Sequence, residues 1–239
     1  MDQFITLPKS EKVFQINCKS DTEAEIVIYD DIGKDGFFFD AFGAKDLDAE
    51  LKKPELKNVT ELTVRINSGG GSVFEGYTIY NRLKRHKAKV TVYVDGIAAS
   101  IASIIALAGD EVIMGEASAL MIHKPWAPVQ GNSNEMQEMA DLLDSLENQM
   151  VAVYKRRTGK DEVEIRQMLA EETWFFGQDA VDHGFATRMD EGGELMNVAA
   201  SADKKWFKHK PKLEAQNMVT EKINSFKSEI EDFLARPKA

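Results

Sequence analysis

Two serines, Ser100 and Ser103, stand in VYVDGIAASIASIIALAGDE, an apolar run of small residues flanked by glycines. A serine in such a place is either a small packing residue or a nucleophile. Ser100 falls just beyond a predicted strand, at the start of a predicted helix. There it lies among amide N–H groups without intrahelical acceptors, which favour an oxygen passing into an oxyanion. The surroundings do not match the G-x-S-x-G elbow, because Ala98 occupies a glycine position. A serine nucleophile needs a base, and the chain has four histidines. His86 lies in a basic helix end, His183 at a helix C-terminus and His209 in a basic tail. Only His123 leaves a core strand, Ala119–Ile122, at the kind of strand end where catalytic groups of parallel sheets gather. A hydrogen-bonded structural histidine is the competing reading. A carboxylate must then hold the imidazole tautomer. Glu171 and Glu172, leading into the aromatic Thr173–Phe176, are the candidates, against the reading that both are solvated.

A fourth element is the loop Asn67-Ser68-Gly69-Gly70-Gly71-Ser72. Glycines after a strand cradle a phosphate, make a tight turn, or aim backbone N–H groups at a developing oxyanion. The loop fits neither G-x-G-x-x-G nor G-x-x-x-x-G-K-[ST], and its residues alone leave the last two readings open.

The elements that must position these groups follow a strand–helix rhythm. Strands are expected at Glu25–Tyr29, Leu62–Ile66, Lys89–Val94, Glu111–Met114, Ala119–Ile122 and Thr173–Phe176. Helices are expected at Lys45–Lys53, Val73–Arg85, Gly96–Ala108, about Asn134–Arg157, Glu162–Glu171 and Gln178–His183. Phe37–Phe39 either continues the sheet or forms an apolar loop. In the long helix, Met136, Met139, Leu143, Leu146, Met150 and Val153 form the apolar stripe, and Asn134 with Gln137 offers a capping box. Alternation of this kind implies βαβ units and a mainly parallel sheet covered by helices, an α/β fold. The expected organisation is an N-terminal segment 1–23, one domain over 24–190, and a C-terminal linker with an amphipathic helix (Met218–Leu234) over 191–239.

The chain has 239 residues, 43% hydrophobic, with a net charge of −10, which suits one globular domain. The acidic balance argues against nucleic acid or an anionic membrane as partner. One cysteine, Cys18, excludes an intramolecular disulfide framework and a cysteine-rich zinc site. No metal site or cofactor is expected. The polar N-terminus does not read as a signal peptide, and the apolar run Ile97–Ala108 is too short to span a bilayer, so a cytoplasmic protein is expected.

Taken in order, Asn-Ser-Gly-Gly-Gly, Gly-Ile-Ala-Ala-Ser, Met-Ile-His-Lys-Pro and Glu-Glu-Thr-Trp-Phe resemble the ClpP family of self-compartmentalising serine peptidases, from about Ala24 to Met189. The resemblance is greatest to the branch that tailed bacteriophages encode as head-maturation (prohead) proteases. It implies a ClpP/crotonase-like fold with a long protruding handle helix. It implies Ser100 as nucleophile, His123 as general base, Glu172 as the acid, and the N–H groups of Gly70 and Ile101 as the oxyanion hole. An extended substrate would lie beside Gly69, Gly71 and Pro125, and Ser103 would only pack. The implied partners are further copies of the chain, in one ring or two stacked rings, and protein substrates such as capsid and scaffold precursors. Gly69 in place of a proline, Ile97 in place of a polar residue and Glu in place of Asp as the acid depart from the housekeeping pattern, and the lack of a match to the N-terminal loops that face a Clp ATPase favours the phage branch. The rival expectations are an ATPase-served degradative subunit, a crotonase-type acyl-CoA enzyme, and a catalytically idle capsid-assembly protein on the same fold.

Overall fold

In the computed structural model, residues 14–33, 43–53 and 56–190 are described. Phe37–Phe39 and the C-terminal helix expected at 218–234 lie outside them. Among the described residues eight strands and six helices follow in order: β1 (Phe14–Cys18), β2 (Glu23–Ile28), α1 (Ala44–Leu51), β3 (Glu61–Ser68), α2 (Val73–Lys84), β4 (Lys89–Ala99) and α3 (Ile101–Ala106). Then come β5 (Glu111–Met114), β6 (Ala119–Ile122), α4 (Ser133–Thr158), α5 (Glu162–Glu171), β7 (Thr173–Phe176), α6 (Gln178–Asp182) and β8 (Arg188–Met189).

The sheet runs β1-β2-β3-β4-β5-β8, with β6 paired to β4 and β7 to β6. All pairings are parallel except β1 with β2 and β6 with β7. Strict alternation in β2, β3 and β4 explains its two faces. Ile26, Ile28, Leu62, Val64, Ile66, Val90, Val92 and Val94 point into the core, while Val27, Thr63, Arg65, Thr91, Tyr93 and Asp95 are half-buried on the other side. On that side Asp95 accepts hydrogen bonds from Arg65 and from the Tyr29 hydroxyl (2.6 Å), tying the three strands together.

β4 positions the site. Its first half, Thr91–Val94, pairs with β5; its second half, Ile97–Ala99, pairs with β6. This corrects the helix expected from Gly96. Residues 96–99 are extended because the backbone of Ile97–Ala99 is taken up by Ala119–Met121, and the helix starts at Ile101. The small residues of that run therefore mark close packing rather than helix.

Two further differences concern α4. The capping box lies at Asn132 and Glu135, not Asn134 and Gln137. Asn132 Oδ1 accepts from the N–H groups of Asn134 (2.9 Å) and Glu135 (3.2 Å), and Glu135 returns a bond to the Asn132 N–H (2.7 Å). The same i, i+3 spacing occurs at both places, and the helix begins at the earlier one. The expected stripe is buried only in the second half. Leu146 and Met150 join Val151 and Tyr154 in the core, whereas Met136 is exposed and Met139 and Leu143 are half-buried.

Candidate active site

β3 delivers Asn67 and Ser68 to the glycine loop. Gly70 has φ +93°, and a Cβ there would lie 2.7 Å from Ser100 Cβ and 2.8 Å from the Ala99 carbonyl oxygen. Only glycine lets the loop come this close to the serine backbone. The loop is held from its other side by Ile32, whose N–H donates to Gly70 O (2.9 Å) and whose carbonyl accepts from the Ser72 N–H (2.7 Å). Gly69 is buried and Gly71 exposed. The Gly70 N–H itself donates to Ser68 Oγ at 3.2 Å. On α2, a Cβ at Gly76 would come within 2.1 Å of Ile101 Cγ1, so this glycine, unremarked in the sequence, lets α2 press on α3.

Ser100 sits between β4 and α3 with φ +56° and ψ −129°, a conformation that strains any residue but glycine by about 1–3 kcal/mol. The surrounding bonds hold it there. Its N–H donates to Met121 O (2.9 Å), and its carbonyl accepts from the Ser103 N–H (3.0 Å). Helix α3 has only six residues, so it offers first-turn amide donors, that of Ile101 among them, rather than a developed dipole.

Ser100 Oγ lies 2.8 Å from His123 Nε2. His123 is buried, one residue past the end of β6. For the hydroxyl to donate to Nε2, the ring proton must sit on Nδ1 and face an acceptor. The β6–β7 register pairs Ile122 with Thr173, and one further step sets His123 opposite Glu172. Glu172 is 6% exposed and left-handed at φ +52°, ending α5. Its neighbour Glu171 is exposed and accepts a hydrogen bond from Gln167 (2.9 Å). Burial thus separates two adjacent glutamates that spacing left equal. The Lys124 N–H donates to Leu169 O (3.1 Å), joining the histidine end of β6 to the last turn of α5. Pro125 follows, half-buried, at the start of the non-helical stretch 124–130.

Two sets of residues escaped the sequence reading. Glu147 of α4, nearly buried, receives Lys124 Nζ (2.9 Å) and the Arg166 guanidinium (3.0 Å), linking α4 to both His123's neighbour and α5. Ser103, expected only to pack, is buried and bonded through its hydroxyl to Ser100 O (2.6 Å) and to the Tyr154 hydroxyl (2.8 Å). No local pattern announces either set, because the partners are 19 or more residues apart in all but one of these bonds. Among the described residues no group of His, Cys, Asp or Glu side chains is arranged to hold a metal ion, and no helix is long and apolar enough to cross a membrane.

This geometry has relatives. A ClpP1 variant structure from Listeria monocytogenes superposes with a TM-score of 0.60 at 24% identity, covering 70% of this chain and 91% of that one; the fold is ClpP-like. The ATP-dependent Clp protease proteolytic subunit 1 of Protochlamydia amoebophila is 29% identical over 128 residues, and that of Chlamydia abortus 31% over 123. These matches cover 52% and 50% of this chain and span 62% and 64% of the two curated relatives, less than two thirds of either. The Clp protease family profile matches residues 40–191, well over half of the chain. The chain belongs to the Clp protease family.

Proposed function

We propose that this chain is a serine endopeptidase in which Ser100, His123 and Glu172 form the catalytic set. The observation that carries the reading is the 2.8 Å contact between Ser100 Oγ and His123 Nε2. Ser100 Oγ bonds to the scissile carbonyl carbon as its proton passes to His123 Nε2. Glu172 orients the imidazole and stabilises it while it is charged. The oxyanion draws on the N–H groups of Ile101 and Gly70, the latter exchanging Ser68 Oγ for the new oxygen. When the C–N bond breaks, His123 returns its proton to the leaving amine. It then takes one from the water that attacks the acyl carbonyl, and returns it to Ser100 Oγ as the ester C–O bond breaks and the acid product leaves. Gly69, Gly71 and Pro125 flank the course of an extended substrate.

In this reading residues 24–190 form the peptidase domain, and the protein works in the cytoplasm as a homo-oligomeric ring or a pair of rings. Its long helix α4 serves as the handle, and its substrates are capsid and scaffold precursors of a phage head. This branch is proposed on the resemblance of the four motifs, in which Gly69, Ile97 and Glu172 depart from the housekeeping pattern. The names of the relatives, ATP-dependent proteolytic subunits, favour a second reading: a degradative subunit served by a Clp ATPase.

Ser100→Ala is expected to lower peptide turnover by about 10⁴-fold or more and to abolish fluorophosphonate labelling. Unchanged cleavage of a capsid–scaffold precursor by this variant would sink the mechanism. Casein turnover by the wild type, measured with and without a Clp ATPase, separates the two biological readings: stimulation supports the degradative one, indifference the phage one.

A further inference from the structure

Ser103 carries one hydroxyl proton and Tyr154 another, and their bonding can be assigned by counting. Ser103 Oγ lies 2.6 Å from the Ser100 carbonyl oxygen, which can only accept, so the Ser103 proton is spent there. The 2.8 Å contact between Ser103 Oγ and the Tyr154 hydroxyl is then donated by Tyr154. The result is a directed chain: Tyr154 to Ser103 to the Ser100 carbonyl. Both donating side chains are buried, with Ser103 at 0% and Tyr154 at 1% exposure. Tyr154 is itself fixed. It sits in the half of α4 that joins the core, its ring meets Phe185 edge-on at 5.9 Å, and burial holds its hydroxyl well above its ordinary pKa.

The end of the chain is what matters. The Ser100 carbonyl and the Ile101 N–H belong to one planar peptide unit. Ser103 clamps the carbonyl end twice, through its own N–H (3.0 Å) and its hydroxyl. Pinning the carbonyl sets the tilt of the plane and so the direction of the N–H at its other edge. A carbonyl that accepts two bonds, one of them reinforced by a further donor, also polarises its own peptide and makes that N–H a better donor.

We propose that Ser103 and Tyr154 are positioning residues that aim and strengthen the Ile101 N–H as an oxyanion donor and hold Ser100 in its strained conformation. The inference rests on the serine-peptidase reading above and extends it to two residues to which that reading gives no part. It makes α4, through one hydroxyl, a support of the nucleophile turn.

The test uses full-length wild type, Tyr154→Phe and Ser103→Ala, with a fluorogenic peptide amide that the wild type cleaves. Fluorophosphonate titration counts the competent Ser100 sites, so each rate is expressed per folded site and a partly unfolded variant does not mislead. We expect kcat per titrated site to fall roughly tenfold to a hundredfold in both variants with KM unchanged, less than loss of a donor outright. We also expect Ki for a peptide boronate, whose tetrahedral adduct uses the same donors, to rise by the same factor as kcat/KM falls. Variants that melt earlier yet keep wild-type kcat per site and boronate affinity would show a packing role only and overturn the proposal. Failure of the wild type to label at Ser100 would instead overturn the peptidase reading and this inference with it.

Discussion

Ser100 holds a left-handed backbone that costs free energy, and its surroundings have to supply it. The Met121 carbonyl takes its N–H, Ser103 takes its carbonyl, and Gly70 closes on it from the side. The conformation itself is open to test with two variants that both lack the Ser100 hydroxyl. Ser100→Gly removes the strain at φ +56°, whereas Ser100→Ala keeps it. Greater freedom of glycine in the unfolded chain offsets part of that gain. We expect the glycine variant to be the more stable by about 1 kcal/mol in urea unfolding. An alanine variant that equals or exceeds it would show that the turn is unstrained. At this scale the sequence was legible in kind: Ser100, His123 and the glutamates were recognisable as groups able to do the chemistry. The preference for Glu172 by burial was not, since two adjacent carboxylates differ only in which way the end of α5 turns.

Elements rather than residues bring the groups together. The antiparallel pairing of β6 with β7 sets His123 opposite Glu172, β4 ends one residue before Ser100, and the bond from Lys124 to Leu169 joins the end of β6 to the last turn of α5. Helix α2 closes the βαβ unit between β3 and β4, and its exit contains a pH-sensitive contact. His86 Nδ1 accepts from the Ala88 N–H (3.1 Å), which only an imidazole unprotonated at Nδ1 can do. Half-burial lowers its pKa below the ordinary histidine value. A depressed folded-state pKa means that this contribution is complete above the unfolded value, near 6.5, and is lost as pH falls through the folded one. His86→Asn keeps an acceptor that does not titrate in this range. Its loss of stability between about pH 7.5 and about pH 5.5 is expected to be smaller than that of the wild type, read by chemical denaturation at each pH. Equal losses would remove His86 from the acid limb.

Among the described residues, several exposed large apolar side chains follow one another in one stretch of the chain, apart from Phe74, Val163 and Phe176 elsewhere. Trp126, Val129, Met136 and Leu142 are each at least 40% exposed, in the stretch after His123 and in the first half of α4. The proposed ring gives them a partner in further copies of the chain. Met136→Asp with Leu142→Asp is therefore expected to shift sedimentation from the assembled particle toward the monomer while circular dichroism stays unchanged. Assembly unaffected by both charges would move the interface elsewhere. These side chains also show where periodicity stops informing. Met136 and Leu146 belong to one apolar stripe in the sequence, yet only Leu146 is buried within the chain. What the sequence by itself determined were the local matters: the alternating strands β2 to β4, the short apolar strands β5 to β7, most of the helices between them, and the order of the four motifs. These depend on residues within a few positions of one another, and most element ends agree with the structure to within one to three residues. The tertiary structure decided the end of β4, where pairing with β6 overrode an apparent helix. It also decided the edge strands β1 and β8, the burial of Glu172, and the hydroxyl chain from Tyr154 to Ser100. Each of these depends on a partner distant in sequence, and no local pattern of residues encodes which distant group will arrive beside it.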